Sequence, residues 1–405
     1  MHSAMSDLPA VRVGRADADI VGSDNRALQA AVDYVGNLGG GIVEIGPGQY
    51  LMRDSLHLRP NVAVRGTPGK TVLSKAPGAI STLSLDGDYG EEQITLANPD
   101  GFRVGDGIAI WDKASGGFHT TVARITGRRG NTFSVSKPLN DDYEVSENAQ
   151  AATVFPVVSG CDVEGVRVEH LIIEGNKSAN ANLNGCRGAG IYFYRGFGAV
   201  IQNCNVRDFN GDGISFQQSN DVTVADCVAE NNAGLGLHPG SGSQRPTVRN
   251  CTARGNGEDG LFLCWRVRHG VFEDNVLDSN GRHGISIGHK DTDNLLRRNR
   301  VVGNGRDGVL FRNESEGMAA HRNRLEDNVI ENNGGKGEVA GIRVMGRTDG
   351  LVFRNNTLRD TRPPSERRQT TGFHLGKEAG GVTLDGNKVE GSTPLKDERT
   401  STASK

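Results

Sequence analysis

The sequence predicts an all-β solenoid, and three observations carry that prediction. A glycine opening an apolar stretch recurs at Gly213, Gly236, Gly260, Gly284 and Gly308, with separations of 23, 24, 24 and 24 residues; a fixed period of that size marks stacked repeats. A second column, Cys204, Cys227, Cys251, Asn275, Asn299, Asn328, Asn356 and Asn387, falls at the equivalent turn of successive repeats. The chain also has 57 glycines and only 5% aromatics among 405 residues, which favours turns and short strands over helical bundles. With three short strand-like stretches per repeat, the period reads as a right-handed parallel β-helix whose core is filled by inward side chains from every rung.

The elements follow in chain order. In GSDNRALQAAVDYVGNLGGG, residues 22–41, Ser23 or Asp24 caps a helix whose apolar side carries Leu28, Ala31, Val32 and Val35. A solenoid has exposed ends, and this helix is predicted to cover the first rung. Between residues 86 and 157 the period is lost, and ITLANPDGFRVGDGIAIWD and NTFSVSKPLNDDYEV read as strands of a β-rich insertion. Loops that leave a solenoid tend to emerge on one face, often the binding one, so His119, Asp141, Asp142 and Tyr143 are candidates to flank a groove, the alternative being a purely architectural insertion. The repeats then run to about residue 390, giving one β-helix domain over 1–390. The tail 391–405 is polar and predicted to be disordered.

Within each repeat the chain alternates after the glycine, as in GISFQQ, GLFLCW, GISIGH and GVLFRN. The first and third residues point inward and the second and fourth outward. The outward set is Ser215, Gln217, His238, Gly240, Phe262, Cys264, Ser286, Gly288, Leu310 and Arg312. The ladder column suits asparagine because its amide both donates and accepts, so stacked copies bond along the axis. Its cysteines are predicted to be free thiols.

Composition narrows the function classes. No run of eighteen apolar residues appears, which argues against a membrane span, and the first residues lack the apolar core of a secretory signal. No CxxC or Cys/His zinc spacing is present. Residues 245–324 hold 14 Lys/Arg against 10 Asp/Glu, while the whole chain carries a net charge of -3. Such a locally positive strip steers anions. Its basic residues alternate with acidic ones and lack a base-stacking aromatic series, which argues against nucleic acid.

The opening DNRALQAAVDYVGNLGGGIVEIGPGQYLM, with LRPNVAVRGTPGKTVL after it, resembles the cap and first rungs of the pectate-lyase-like β-helix superfamily. The likeness runs to about residue 390. It implies the β-helix fold and an extracellular or periplasmic location, in a superfamily that includes lyases, hydrolases, epimerases and non-catalytic proteins. GLGLHPGSGSQRPTVRNCTARGNGEDGLFLCW with SNGRHGISI is similar to the catalytic module of mannuronan C5-epimerases. That family carries Asp-Pro-His-Glu where this chain has His238, Pro239, Gly240 and Ser241, and a further catalytic Asp where this chain has Cys264. Pro239 is kept, and Arg282 and His283 match a basic pair.

These readings converge on a groove along the glycine-marked strands and on an anionic polysaccharide as substrate. Trp265 is a candidate to stack on a sugar face, while Arg282, Arg312, Asp293 and Glu314 are further candidates for substrate binding. The leading chemistry is removal of the C5 proton of a uronate followed by elimination of the 4-linked sugar. Arg266, Arg312 and Lys290 would stabilise the developing enolate. His238 or His289 would act as base or acid, as would Lys290 if burial depressed its pKa, and Asp291 would orient His289 or Lys290. The runner-up is glycoside hydrolysis by two carboxylates from Asp291, Asp293, Glu314 and Glu316. The same acids offer hard oxygens for Ca²⁺; no cofactor is otherwise called for. C5 epimerisation and a non-catalytic glycan-binding solenoid complete the alternatives.

Overall fold

The computed structural model describes residues 7–115, 117–335 and 337–399. The chain forms two compact units, Met1–Ser215 with Asn232–Gly234, and Phe216–Asn231 with Leu235–Lys405.

The first unit begins with the strand Ala10–Gly14 and the helix Asn25–Asn37. Asp24 is the residue that caps the helix, its carboxylate accepting the Arg26 N–H at 3.0 Å. Leu28, Ala31, Val32 and Val35 are buried against the first strands, as the 3.6-residue spacing requires. Parallel rungs follow. Gly41–Ile45, Val62–Gly66, Arg167–Glu169 and Val200–Gln202 pair in succession, as do Gly48–Met52, Thr71–Lys75, Ile172–Glu174 and Asn205–Arg207. A third row holds Leu56–His57, Val158–Cys161 and Ala189–Tyr194.

The insertion between these rungs is antiparallel. Its strands run from Ile80–Thr82 to Gln150–Ala152 and close over their own core of Leu96, Ile108, Ile110, Ile125 and Phe133. Tyr143 belongs to that core, fully buried, with its hydroxyl 2.7 Å from Thr121 Oγ1. It therefore does not flank a groove: its ring fills the interior of the insertion, where the sequence alone offered it as a surface residue. His119 and Asp141 pair at 3.3 Å, and Asp142 accepts the Tyr89 N–H.

In the second unit every coil contributes three short parallel strands. One row stacks Thr223–Ala225, Thr247–Arg249, Val271–Glu273 and Leu295–Arg297, and another Val228–Glu230, Thr252–Arg254, Val276–Asp278 and Arg300–Val302. The asparagine column is a hydrogen-bonded ladder. Asn275, Asn299 and Asn328 donate from Nδ2 to the amide oxygens of Asn299, Asn328 and Asn356 at 2.9–3.0 Å, and Asn356 continues to Asn387. The left-handed turn falls one residue earlier than the ladder, at Asp274, Arg298, Asp327 and Asn355. That leaves each asparagine in ordinary conformation with its amide aimed along the axis. A second ladder, Asn256, Asn280, Asn304, Asn333 and Gln369, runs beside it. All six cysteines are free thiols.

The tail departs from its predicted disorder. Thr393–Asp397 is a strand paired in parallel with Gln369–Leu375. Backbone pairing on an open sheet edge needs no apolar side chains, which is why polar composition gave no sign of it. Residues 400–405 of the predicted tail lie outside the described residues.

Candidate active site

The third strand row of the second unit builds the candidate site. Leu261 and Leu263, Ile285 and Ile287, and Val309 and Phe311 point into the core with at most 1% exposure. Alternation turns the residues between them outward. The outer column is His238, Phe262, Ser286, Leu310, Arg343 and His374, in strand register from Phe262 onward. His238 meets the Phe262 ring edge-on, centroids 5.4 Å apart, and its Nε2 lies 3.5 Å from Gln217 Nε2.

Arg312 lies back over this column. Its guanidinium carbon sits 4.4 Å from the Phe262 centroid. Nη1 donates to Ser286 Oγ at 2.9 Å, and Nη2 donates to the Leu263 carbonyl at 2.7 Å and to Asp291 Oδ2 at 3.3 Å. Gly288 makes this path available, because a Cβ there would stand 2.5 Å from Arg312 Nε. Asp291 has no exposed surface and also accepts the N–H groups of Val267 and Gly288. Burial raises its carboxyl to about 7 against the pull of Arg312 and those two donors. His289 Nε2 lies 2.9 Å from Glu314 Oε1 and its Nδ1 3.4 Å from Arg312 Nη2. Burial, then Arg312, lowers the His289 pKa, with Glu314 opposing. Trp265, 37% exposed, tilts over His289 at 5.3 Å.

A second column stands just before the glycines. Asp259, His283 and Asp307 are buried. The His283 N–H donates to Asp259 Oδ1 at 2.7 Å, while Oδ2 takes no hydrogen bond among the described residues. Burial raises Asp259 to about 6, offset in part by Arg282 and Arg312. His283 is pushed down to about 4, chiefly by burial, with Asp307 opposing, so its imidazole is neutral at pH 7. Its Nδ1 has no hydrogen-bond partner and lies 3.5 Å from Asp307 Oδ2. Asp307 itself is clamped by Arg343 Nε at 3.0 Å, and Arg343 Nη1 reaches His374 Nδ1 at 2.5 Å.

The family described as "Right handed beta helix region" matches residues 169–324. Among solved structures, the polygalacturonase of Erwinia carotovora ssp. carotovora aligns over 97% of each chain with a TM-score of 0.59 and 12% identity. The A-module of the mannuronan C-5 epimerase AlgE6 of Azotobacter vinelandii aligns over 94% of this chain and 92% of its own, with a TM-score of 0.56 and 15% identity.

The chain is a right-handed parallel β-helix.

An exopolygalacturonase from Thermotoga maritima aligns over 95% and 93%, with a TM-score of 0.53 and 11% identity. Identities this low carry the fold alone. No curated protein matches the chain in sequence.

On this β-helix the sequence-predicted residues separate into distinct environments. His238, Trp265, His289, Arg312 and Glu314 gather at the strand row, linked by the contacts above. Asp291 does not orient His289 or Lys290: its carboxylate lies beneath Arg312, because the turn that carries it folds inward to accept two backbone N–H groups. Lys290 is half-buried and has no ion-pair partner among the described residues. Arg266 is exposed, in a left-handed turn beside Trp265. Arg282 is exposed next to His283, close enough to lower Asp259. Asp293 is not in the groove. It is tied through both oxygens to Arg322 at 2.7 and 2.8 Å, on the next coil's turn.

The acids offered for hydrolysis or Ca²⁺ accordingly do not converge. Asp291, Asp293 and Glu314 each have a cationic or imidazole partner, and Glu316 is exposed, 3.9 Å from Arg347. No group of three His, Cys, Asp or Glu positioned for a metal ion occurs among the described residues. Sequence reasoning passed over the buried Asp259 and Asp307 and offered His283 only as half of a basic pair. The available signal was the polar residue immediately preceding the glycine in three consecutive repeats, which strand alternation, counted from the glycine onward, passes over.

Proposed function

We propose that this β-helix is a carbohydrate-active enzyme that cleaves a uronate-containing polysaccharide by β-elimination. One observation carries the reading. The Arg312 guanidinium is fixed over Phe262, three residues along the chain from Asp259, a carboxyl with one oxygen anchored by the His283 N–H and the other unengaged. Proton abstraction beside a carboxylate needs a cation to stabilise the enolate and a base for the proton. Arg312 and Ser286 would engage the uronate carboxylate. Asp259 Oδ2 would take the C5 proton, the C5 electron pair would become the C4=C5 double bond, and the C4–O bond would break. The departing oxygen would receive a proton from His238 or from water, and Trp265 would stack on a neighbouring sugar. His289 and Glu314 serve as positioning residues for Arg312 in this scheme.

The fold supports the glycan reading, since the similar structures include a mannuronan C-5 epimerase and polygalacturonases. The test is incubation of the full chain with a panel of uronate-containing and neutral polysaccharides. The expected result is new ultraviolet absorbance from an unsaturated uronate end. Reducing ends without that absorbance would replace elimination by hydrolysis. Deuterium uptake at C5 without cleavage would replace it by epimerisation. Silence across the panel would leave a non-catalytic glycan binder.

A further inference from the structure

The first unit contains a cavity of about 620 Å³ that the proposed reaction does not use. Its walls come from the insertion, at Thr120–Arg124 and Ser136–Lys137, and from the solenoid strands that carry Ser159, Cys161, Tyr192 and Tyr194. That size falls within the range of small-molecule sites, enough for one or two sugar rings.

Its charge is unbalanced. Arg59, Arg124, Lys137, Arg187 and Arg195 line it against only two carboxylates, Asp54 and Asp162. Both acids are already committed. Asp54, 4% exposed, has His57 Nε2 and Arg124 Nε each 3.0 Å from its Oδ2. Asp162 pairs through both oxygens with Arg195 at 2.6 Å. Arg59 pairs with Asp33. Arg187 donates Nε to the Phe118 carbonyl, and neither Arg187 nor Lys137 has a carboxylate within 4 Å among the described residues. Two cations that line a pocket without a carboxylate in ion-pair contact are a site for an anion. Tyr194, one ring face covered by the Arg195 guanidinium at 4.7 Å, adds an aromatic side chain to the pocket wall.

We infer that this pocket binds an anionic sugar, with the carboxylate or sulfate against Lys137 and Arg187 and the ring beside Tyr194. The saccharide half of the inference rests on the glycan reading above; the anionic half rests on the pocket's own charges. The insertion then has a function, to roof a subsite on the first rungs.

The experiment titrates the full chain with three short oligosaccharides, one uronate-containing, one sulfated and one neutral, and follows alkylation of Cys161 by mass spectrometry. Cys161 lines this pocket and is partly exposed, so its protection reads this site and not the strand face of the second unit. The anionic sugars should bind at least tenfold more tightly than the neutral one and slow Cys161 alkylation; the tighter of the two identifies the anion. A Lys137→Ala, Arg187→Ala double variant with unchanged circular dichroism should lose at least tenfold in anionic affinity and lose the protection. Equal binding of the neutral sugar, unchanged affinity in the double variant, or unprotected Cys161 would each overturn the site. Polysaccharide turnover, measured separately, tests the proposed reaction, so either idea can fail while the other stands.

Discussion

Arg312 reaches back across its neighbouring rung until its Nη2 lies 3.3 Å from Asp291 Oδ2, a carboxylate with no exposed surface. The cation of the candidate site is thus fixed by other turns of the coil, Asp291 acting together with the Leu263 carbonyl at 2.7 Å and Ser286 Oγ at 2.9 Å. Removing that acid strands Arg312 and two backbone N–H groups without their acceptor. Asp291→Ala is therefore expected to destabilise the fold by about 1–3 kcal/mol, read from urea unfolding at pH 7, the lost acceptor being partly offset by relief of the burial that raises this carboxyl to about 7. A loss under 1 kcal/mol would mean that Arg312 is not anchored there.

Gly288 controls the same guanidinium sterically. Gly288→Ala sets a methyl group where Arg312 Nε now passes at 2.5 Å from the Cβ position. The arginine must swing away while the backbone stays, so turnover should fall on the order of 100-fold with native circular dichroism. Arg312→Lys should fail to substitute, because one ammonium does not reproduce the fork that bridges Ser286, Leu263 and Asp291.

Asp259 titrates near 6 because it is buried. As the proposed base it works only when ionised, so kcat/KM should rise with pH through about 6. Asp259→Asn should abolish that limb along with most of the activity. A wild-type profile that is flat between pH 5 and 7 would remove Asp259 from the mechanism.

His283 gives a stability signature of opposite origin. Its folded pKa is about 4 against an ordinary 6.5, so between those values the unfolded chain binds the proton more readily. Stability should therefore decline as pH falls from 6.5 toward 4, by about 2–3 kcal/mol from this group. His283→Gln should show a shallower decline in unfolding free energy over the same window.

The asparagine ladder offers a test of the stack itself. Asn299 Nδ2 donates to the Phe272 carbonyl and to Asn328, while its oxygen accepts from the Asn275 backbone N–H and side chain. Asn299→Ala leaves buried partners unsatisfied on both neighbouring rungs and should cost about 3 kcal/mol. Asn387, half-buried at the end of the ladder, should cost less than half as much.

The repeat, the cap and the inward and outward faces were legible in the sequence because each follows from local rules: a fixed period, a 3.6-residue apolar stripe, and side chains that alternate along a strand. The asparagine column was legible for the same reason, since coils of equal length bring the same position back every two dozen residues. What the tertiary structure decided was the surroundings of each polar side chain. Asp291 looked like a surface acid beside a histidine and is a sealed acid beneath Arg312; Asp293 pairs with Arg322; the Asp259 carboxyl is raised by burial. Tyr143 and the strand Thr393–Asp397 follow the same pattern. Desolvation and the reach of a long arginine across rungs depend on residues from other coils, and no local pattern in the chain encodes which of them will close over a given carboxylate.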